Sequence, residues 1–363
     1  MKSSTPGFTP WPIIICVYAV ERSDCLENGE PVRPFYCIVA FWGQTYRQHF
    51  LQWCLPSLLS PGNIPFLLGK RPCKFLISTT RQDWAVLSSD PLFFILKKFA
   101  EPVFLEIRRS VPDFLQTVVR EKKRRSQVHA SEQSPEADLP WSPLDIATPE
   151  AFEELQILGR GMGINLTDHH QYAVRILFMS AGHKAAAALA HQDQAYGIFL
   201  APDMVLSDGS VAHLHQLAQS GKKVVMVSAC RFSLEDCFRD FRKSGLMASG
   251  DPLVLPPRKL VEMVFSGMHP ETACFEFDSS FFSNPATSAF WKVPGDAGVL
   301  LHSFFWAPLL VDFGGIDRHH AEYFDSGGTT HGKYIAMHFN SQRDVTPVTD
   351  SDEIFLASFT PRS

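Results

Sequence analysis

The first hundred residues alternate short apolar runs with segments of helical periodicity, and this pattern most constrains the fold. Residues 35–41 form the continuous apolar run typical of a strand buried on both faces. Residues 46–59 place apolar side chains at helical spacing and end at a Ser-Pro-Gly-Asn turn. Strands are predicted again over residues 73–78 and 103–107, separated by one helix over residues 84–99. The sequence therefore predicts an α/β fold with a mainly parallel, Rossmann-like sheet flanked by helices.

Later segments continue the pattern. We predict a long helix over residues 168–190, a buried strand over residues 198–200, a helix over residues 210–220 and a strand over residues 223–227. Beyond residue 250 the chain becomes irregular and rich in aromatic residues, which we interpret as a second core rather than a cleft.

A break in the strand and helix pattern divides the chain into three parts. Residues 1–120 form an N-terminal α/β half, and residues 150–363 form a second one. Between them, residues 121–149 join a basic run to a proline-rich stretch, which indicates a flexible insertion or lid.

Composition excludes several classes of partner. The chain has 363 residues, 45% of them hydrophobic and 20% charged, and a net charge of −5. It has no global basic field that would hold nucleic acid or an anionic membrane surface. The longest apolar run, residues 13–20, is far shorter than the roughly 20 residues that a spanning helix needs, so we expect no membrane span.

A secretion signal is the competing interpretation of that run. Against it, Lys2 is the only early positive charge and no A-x-A-like cleavage site follows. The eight cysteines show no C-x-x-C spacing, which favours reduced, mostly buried thiols. We therefore expect a cytoplasmic protein.

Strand exits are the first candidates for a site, because ligands of open α/β sheets bind outside the carboxyl ends of the strands. The first exits are Trp42 with Gly43, and residues 79–81. A later exit carries Asp203 and Asp208, and two carboxylates there can hold a hard divalent cation through oxygen. The alternative is structural, since aspartates at such positions also form turns and caps before a helix.

Other motifs carry less information. Residues 159–163 (GRGMG) follow a helical pattern and lack the full G-x-G-x-x-G spacing. The sequence contains no P-loop, G-x-S-x-G, H-E-x-x-H or kinase motif. His302 and Asp317 follow apolar strands and could supply polar groups to a pocket, with a hydrogen-bonded structural role as the alternative.

Four segments carry a family resemblance: residues 41–46 (FWGQTY), 55–65 (LPSLLSPGNIP), 78–80 (STT) and 199–210 (FLAPDMVLSDGS). Together they resemble bacterial proteins of glycosyltransferase-like type, which are similar to the GT-A fold of nucleotide-sugar-dependent transferases. The resemblance covers residues 35–320 apart from the insertion.

The resemblance implies a nucleotide-diphosphate sugar as donor and an acceptor of unknown kind. Residues 1–120 would bind the nucleotide, and the C-terminal region would face the acceptor. Trp42 would stack on the base, and the other implied substrate-binding residues are Gly43, Tyr46, Thr79, Arg81 and His302.

The resemblance also implies a metal and a base. Asp203 and Asp208 would bind Mn²⁺ or Mg²⁺, His302 would be a distal metal or phosphate ligand, and Asp317 would deprotonate the acceptor hydroxyl. The chain departs from the family's D-x-D pattern, because no second acid stands two residues after Asp203. Three alternatives follow: Asp208 substitutes for it, the enzyme needs no metal, or the fold has lost transfer activity.

The resulting hypothesis is a cytoplasmic glycosyltransferase-like enzyme. One alternative is a non-catalytic or regulatory Rossmann-like binding module. Another is a different Rossmann-like transferase that uses a cofactor such as S-adenosylmethionine at the same strand exits.

Overall fold

The structure is a computed structural model that describes most of the chain. The described residues are 26–27, 30–107, 168–243, 251–280, 288–303, 307–325, 328–339, 341 and 343–361. The predicted insertion over residues 121–149 and the GRGMG segment lie outside them. None of the helices in the described part combines the length and the apolar character that crossing a membrane requires.

Apolar runs of the sequence form most of the strands. In chain order the strands are β1 (Phe35–Ala40), β2 (Cys73–Thr79), β3 (Glu101–Glu106), β4 (Tyr196–Leu200), β5 (Met204–Leu206), β6 (Val224–Val227), β7 (Ala229–Ser233), β8 (Ser288–Lys292), β9 (Val299–Ser303), β10 (Ala307–Asp312), β11 (Val345–Val348) and β12 (Leu356–Thr360). A small hairpin of Leu26–Glu27 and Glu30–Pro31 precedes them.

Seven strands form one sheet in the order β11-β6-β10-β4-β1-β2-β3. Six of them run in the same direction, and β10 is antiparallel to both neighbours. The predicted α/β fold with a mainly parallel sheet is thereby confirmed. Both predicted halves of the chain contribute to this sheet, because β4 pairs with β1.

Helices cover both faces of the sheet. They are α1 (Gly43–His49), which continues through a π-helical turn (Phe50–Cys54) into α2 (Leu55–Leu58), then α3 (Arg81–Ser88), α4 (Pro91–Leu96), α5 (Asp168–Gln192), α6 (Ser210–Gln219), α7 (Leu234–Lys243), α8 (Pro257–Phe265), α9 (Pro270–Ala273), α10 (Ala321–Asp325) and α11 (Gly332–His338). The segment from α1 to α4, with α6, packs on one face, and α5, α10 and α11 pack on the other. This three-layer arrangement shields both faces of the parallel strands from water.

A smaller sheet and a hairpin lie beside the main sheet. The smaller sheet has the order β5-β12-β7, and β8 pairs with β9. Their apolar faces join α7 and α8 in a separate cluster that includes Trp53, Phe232 and Phe290. The predicted second core is confirmed at Phe290, which is 1% exposed, and is wrong at Phe277, which is 49% exposed.

The helix predicted over residues 84–99 is wrong, because two helices form there. Pro91 has no backbone N–H and begins α4, while the Asp90 carboxylate accepts a hydrogen bond from the Leu92 N–H at 2.9 Å. These two residues therefore start a new helix where apolar periodicity alone suggests a continuous one.

Among the six cysteines in the described part, five are buried and Cys274 is half-buried, all as free thiols.

Helix α5 packs tightly on β1 and β2 at Gly182. A Cβ there would lie 2.8 Å from Ser78 Cβ and 3.0 Å from Ala40 Cβ. We expect Gly182→Ala to lower the free energy of unfolding by about 1–3 kcal/mol, because α5 must move off the sheet. Gly332→Ala is the control, since a Cβ there meets nothing within 4 Å. Urea unfolding of both variants checks this, and equal stabilities would contradict the close packing.

Candidate functional site

The order of the strands reverses at β1. From β1 the chain adds β2 and then β3 on one side, and later places β4 on the other side of β1. At such a reversal a crevice forms outside the carboxyl ends of the strands, where ligands of open α/β sheets bind. The ends of β1 and β4 therefore define the candidate site.

The exits of β1 and β2 are joined by one buried carboxylate, that of Asp83 in α3. Asp83 is 3% exposed and accepts hydrogen bonds from the Gly43 N–H at 2.9 Å and the Thr80 hydroxyl at 2.7 Å. It also forms an ion pair with the guanidinium of Arg47. Gly43 has a φ of +80°, which glycine adopts without strain. These contacts fix the direction in which α1 leaves β1.

Trp42 is enclosed at the start of α1. It is 6% exposed and packs against Ile107, which follows β3, and Met179 of α5. The Tyr46 ring lies 6.5 Å from it, centroid to centroid. Stacking on a nucleotide base, the predicted role of Trp42, therefore requires one of these neighbours to move.

Thr79 and Arg81 lie at the exit of β2. The Thr79 hydroxyl is buried and has no hydrogen-bond partner among the described residues. Arg81 donates through Nε and Nη2 to the two carboxylate oxygens of Glu106, at 3.1 and 3.0 Å. Glu106 ends β3, so this bidentate pair links the exits of β2 and β3.

Asp203 follows β4 and lies against the smaller sheet. The Ser358 hydroxyl of β12 donates to Asp203 Oδ2 at 2.7 Å, and the Phe359 N–H donates to the Asp203 carbonyl at 3.0 Å. Asp203 is half-buried in this position. The β4 exit is therefore held by two hydrogen bonds to one strand of the smaller sheet.

The smaller sheet presents a row of side chains beside Asp203, which we call the polar row for its members Ser358 and Arg231. Met204, Ser358 and Arg231 are register partners across β5, β12 and β7, so their side chains share one face. The preceding row on that face, formed by residues 206, 356 and 229, belongs to the main core. The row that holds Ser358 and Arg231 therefore lies where the core ends and the site begins.

His49, the last residue of α1, lies near Asp203. Burial lowers the pKa of His49, and the charge of Asp203 partly offsets this. Burial raises the pKa of Asp203, while the hydrogen bond from Ser358 and the nearby His49 and Arg231 act in the opposite direction. Opposed shifts at a strand exit are typical of functional sites. His49 Nδ1 is buried without a hydrogen-bond partner among the described residues.

Asp208 does not join Asp203. The two residues lie at opposite ends of β5, and Asp208 Oδ1 accepts a hydrogen bond from the Gly62 N–H at 2.7 Å. A Cβ at Gly62 would lie 2.4 Å from the Gly209 nitrogen, so the two loops are in close contact. Asp208 thus makes the turn contact that is the structural alternative to a metal role.

The residues around Asp203 do not fit the expected Mn²⁺ or Mg²⁺ site. No group of three or more His, Cys, Asp or Glu side chains in the described part of the chain is placed to hold a metal ion. Asp203 offers a single carboxylate, one oxygen of which already accepts the Ser358 hydroxyl.

Asp317 lies away from the exit of β4, and His302 belongs to the separate hairpin of β8 and β9. His302 is exposed on β9, outside the seven-stranded sheet. Asp317 is exposed beyond the carboxyl end of β10, and because β10 is antiparallel, this end lies at the amino edge of the other strands. Asp312 shows this directly, since it pairs with Arg33, just before β1. The structure therefore separates Asp317 from Asp203, and we do not retain it as the base.

Sequence reasoning missed His49, Ser358, Arg231 and Asp83. Asp83 carried a signal, because it stands three residues after Thr80, which is the spacing of a reciprocal helix cap. The other three come from α1, β12 and β7, and only the tertiary fold brings them together.

Comparisons with known proteins add little. No protein-family model matches the sequence, and no curated protein matches it either. Among solved structures the chain is similar to mouse xyloside xylosyltransferase 1 in its apo form, with a TM-score of 0.26 and 11% sequence identity. The match covers 61% of this chain and 63% of that one, which is less than two thirds of its length. A TM-score this low carries no argument about the site.

Proposed function

We propose that the protein is a GT-A-like glycosyltransferase that binds a nucleotide-diphosphate sugar across the carboxyl ends of β1 and β4. The observation that carries this proposal is the placement of Asp203 at the strand-order reversal, beside His49, Ser358 and Arg231. The resemblance of residues 41–46 and 199–210 supports it, because both segments form these strand exits.

The length of α1 suits an extended ligand. Trp42 and His49 stand at opposite ends of α1, so their backbones lie about 10 Å apart along the helix axis. The nucleoside lies toward Trp42 and Thr79 in this proposal, and the diphosphate and sugar lie toward His49 and Asp203. The Thr79 hydroxyl, which has no hydrogen-bond partner among the described residues, offers a hydrogen bond at the nucleoside end.

Asp203 is the residue that we assign to the transferred sugar. Its carboxylate is partly desolvated and accepts a hydrogen bond from the Ser358 hydroxyl. This contact fixes the direction in which the carboxylate accepts a proton, or a hydrogen bond from a sugar hydroxyl. The acceptor hydroxyl would approach from the side of Arg231, whose side chain is exposed.

We expect Asp203→Asn to lower turnover about 100-fold while the protein stays folded. The measurement is release of nucleoside diphosphate from a panel of nucleotide-sugars, with circular dichroism to verify folding. Asp208→Asn is the matched control, because its amide oxygen still accepts the Gly62 N–H and it lies at the other end of β5. Equal turnover in the wild type and Asp203→Asn would remove Asp203 from the mechanism. Nucleotide binding without turnover would favour the binding-module alternative.

A further inference from the structure

Two basic side chains stand near the Asp203 carboxylate. Around one carboxylate stand the Arg231 guanidinium and the His49 imidazole, and both act electrostatically on Asp203. We propose, on the basis of the function proposed above, that Arg231 and His49 bind the diphosphate of the donor directly, and that no divalent cation is needed.

The carboxylate ligands that a cation requires are not assembled here. Mg²⁺ and Mn²⁺ are held by hard oxygen ligands, and the described residues assemble no group of three or more His, Cys, Asp or Glu side chains around Asp203. One oxygen of Asp203 accepts a hydrogen bond from the Ser358 hydroxyl, and Oδ1 of Asp208 accepts one from the Gly62 N–H. A cation would also stand next to the guanidinium of Arg231, which repels it.

Arg231 is placed to meet an anion. Its side chain is exposed, while its backbone N–H is fixed by the Thr272 hydroxyl at 3.0 Å. The register places it abreast of Ser358, whose hydroxyl reaches Asp203, and the charge of Arg231 acts on the Asp203 carboxylate. A guanidinium is well suited to a diphosphate because it donates two parallel hydrogen bonds to phosphate oxygens.

His49 supplies a second group for the same ligand. Its Nδ1 is buried without a partner among the described residues, and a buried polar atom of this kind is costly unless a ligand or another group satisfies it. Burial favours the neutral ring, so His49 can donate one hydrogen bond without repelling Arg231. The π-helical turn that starts at Phe50 directly follows it, and such turns are frequent at functional sites.

The test is isothermal titration of the full-length protein with ADP, CDP, GDP, TDP and UDP, each in EDTA, Mg²⁺ or Mn²⁺. We expect at least one diphosphate to bind in EDTA with an affinity within about twofold of that in Mn²⁺. Arg231→Gln should weaken this binding about tenfold or more. His49→Leu should also weaken it, and His49→Asn should restore part of the loss because its amide can donate in place of Nδ1. Arg239→Gln on α7 removes the same charge from an exposed side chain and should bind like the wild type.

Two results would overturn the inference in different ways. Binding that disappears in EDTA and returns with Mn²⁺ would contradict metal independence but leave the proposed function standing. Failure of every diphosphate to bind under every condition would reject the proposed function together with the inference. Titration with Mn²⁺ alone, followed by electron paramagnetic resonance, should show only free Mn²⁺.

Discussion

Lowering the pH from 7 to 5 is expected to reduce the free energy of unfolding by about 2 kcal/mol through His183 alone. Burial, and secondarily the charge of His331, lowers the pKa of His183 to about 4. The folded state thus keeps this ring neutral, and its Nδ1 accepts the Thr330 N–H at 3.1 Å. The unfolded chain takes up the proton near pH 6.5, so stability is complete above that pH and is lost as the pH falls toward 4.

Two further histidines add to this effect. Burial lowers the pKa of both His319 and His338 to about 4, and neighbouring histidines contribute in the same direction. Their rings pack on Phe324 and Tyr334, which join α10 and α11 to the core. Because both are only partly buried, solvent screening makes their contributions smaller than that of His183.

The measurement is urea unfolding by circular dichroism at pH 7 and pH 5. His183→Asn retains an acceptor for the Thr330 N–H but cannot be protonated, so it should lose about 2 kcal/mol less than the wild type between the two pH values. His213→Asn, at a half-buried position on α6, should keep the wild-type loss. The same pH dependence in His183→Asn and the wild type would show that His183 is not its source.

Asp83→Ala is expected to lower the free energy of unfolding by about 3 kcal/mol. The change leaves the mostly buried Arg47 guanidinium without its ion-pair partner and the Gly43 N–H without its acceptor. It also removes the acceptor of the Thr80 hydroxyl at the start of α3. A loss this large follows because breaking a buried pair leaves a desolvated charge behind.

The matched control is Asp90→Ala, which also removes an aspartate near a helix start. Asp90 caps α4 through one backbone N–H, so its loss should cost about 1 kcal/mol. Chemical denaturation of both variants at pH 7 measures the difference. If Asp83→Ala cost no more than Asp90→Ala, the network at the exits of β1 and β2 would not be the anchor that its geometry indicates.

The local sequence pattern predicts where the strands of the main sheet lie in the chain better than it predicts the direction in which each strand runs. The apolar runs at β1, β2, β4 and β6 are recognisable because strands buried on both faces must be continuously apolar. The direction of β10 is set by pairing with β4 and β6, which are far from it in sequence. This is why Asp317, predicted as the base, lies at the opposite edge from Asp203.

The sequence could locate a site residue only where that residue follows a strand that is recognisable from its apolar run. Asp203 stands three residues after the end of a recognisable strand, so its position at the carboxyl edge could be expected. Asp208 shares the same loop in sequence, yet the unpredicted strand β5 separates the two carboxylates. Ser358 and Arg231 reach the site through the pairing of β12 with β7, which no local pattern encodes.

The most direct test of the proposed donor site is a thermal-shift screen of nucleotide-sugars and plain nucleotides, each with and without Mn²⁺. A ligand that binds only the folded state raises the melting temperature, by an amount equivalent to about 2.7 kcal/mol at 100 times its dissociation constant. We expect one nucleotide-diphosphate sugar to raise the melting temperature of the wild type, with a smaller rise in Asp203→Asn. A screen in which no nucleotide or nucleotide-sugar shifts the melting temperature of well-folded protein would contradict a donor site at the ends of β1 and β4.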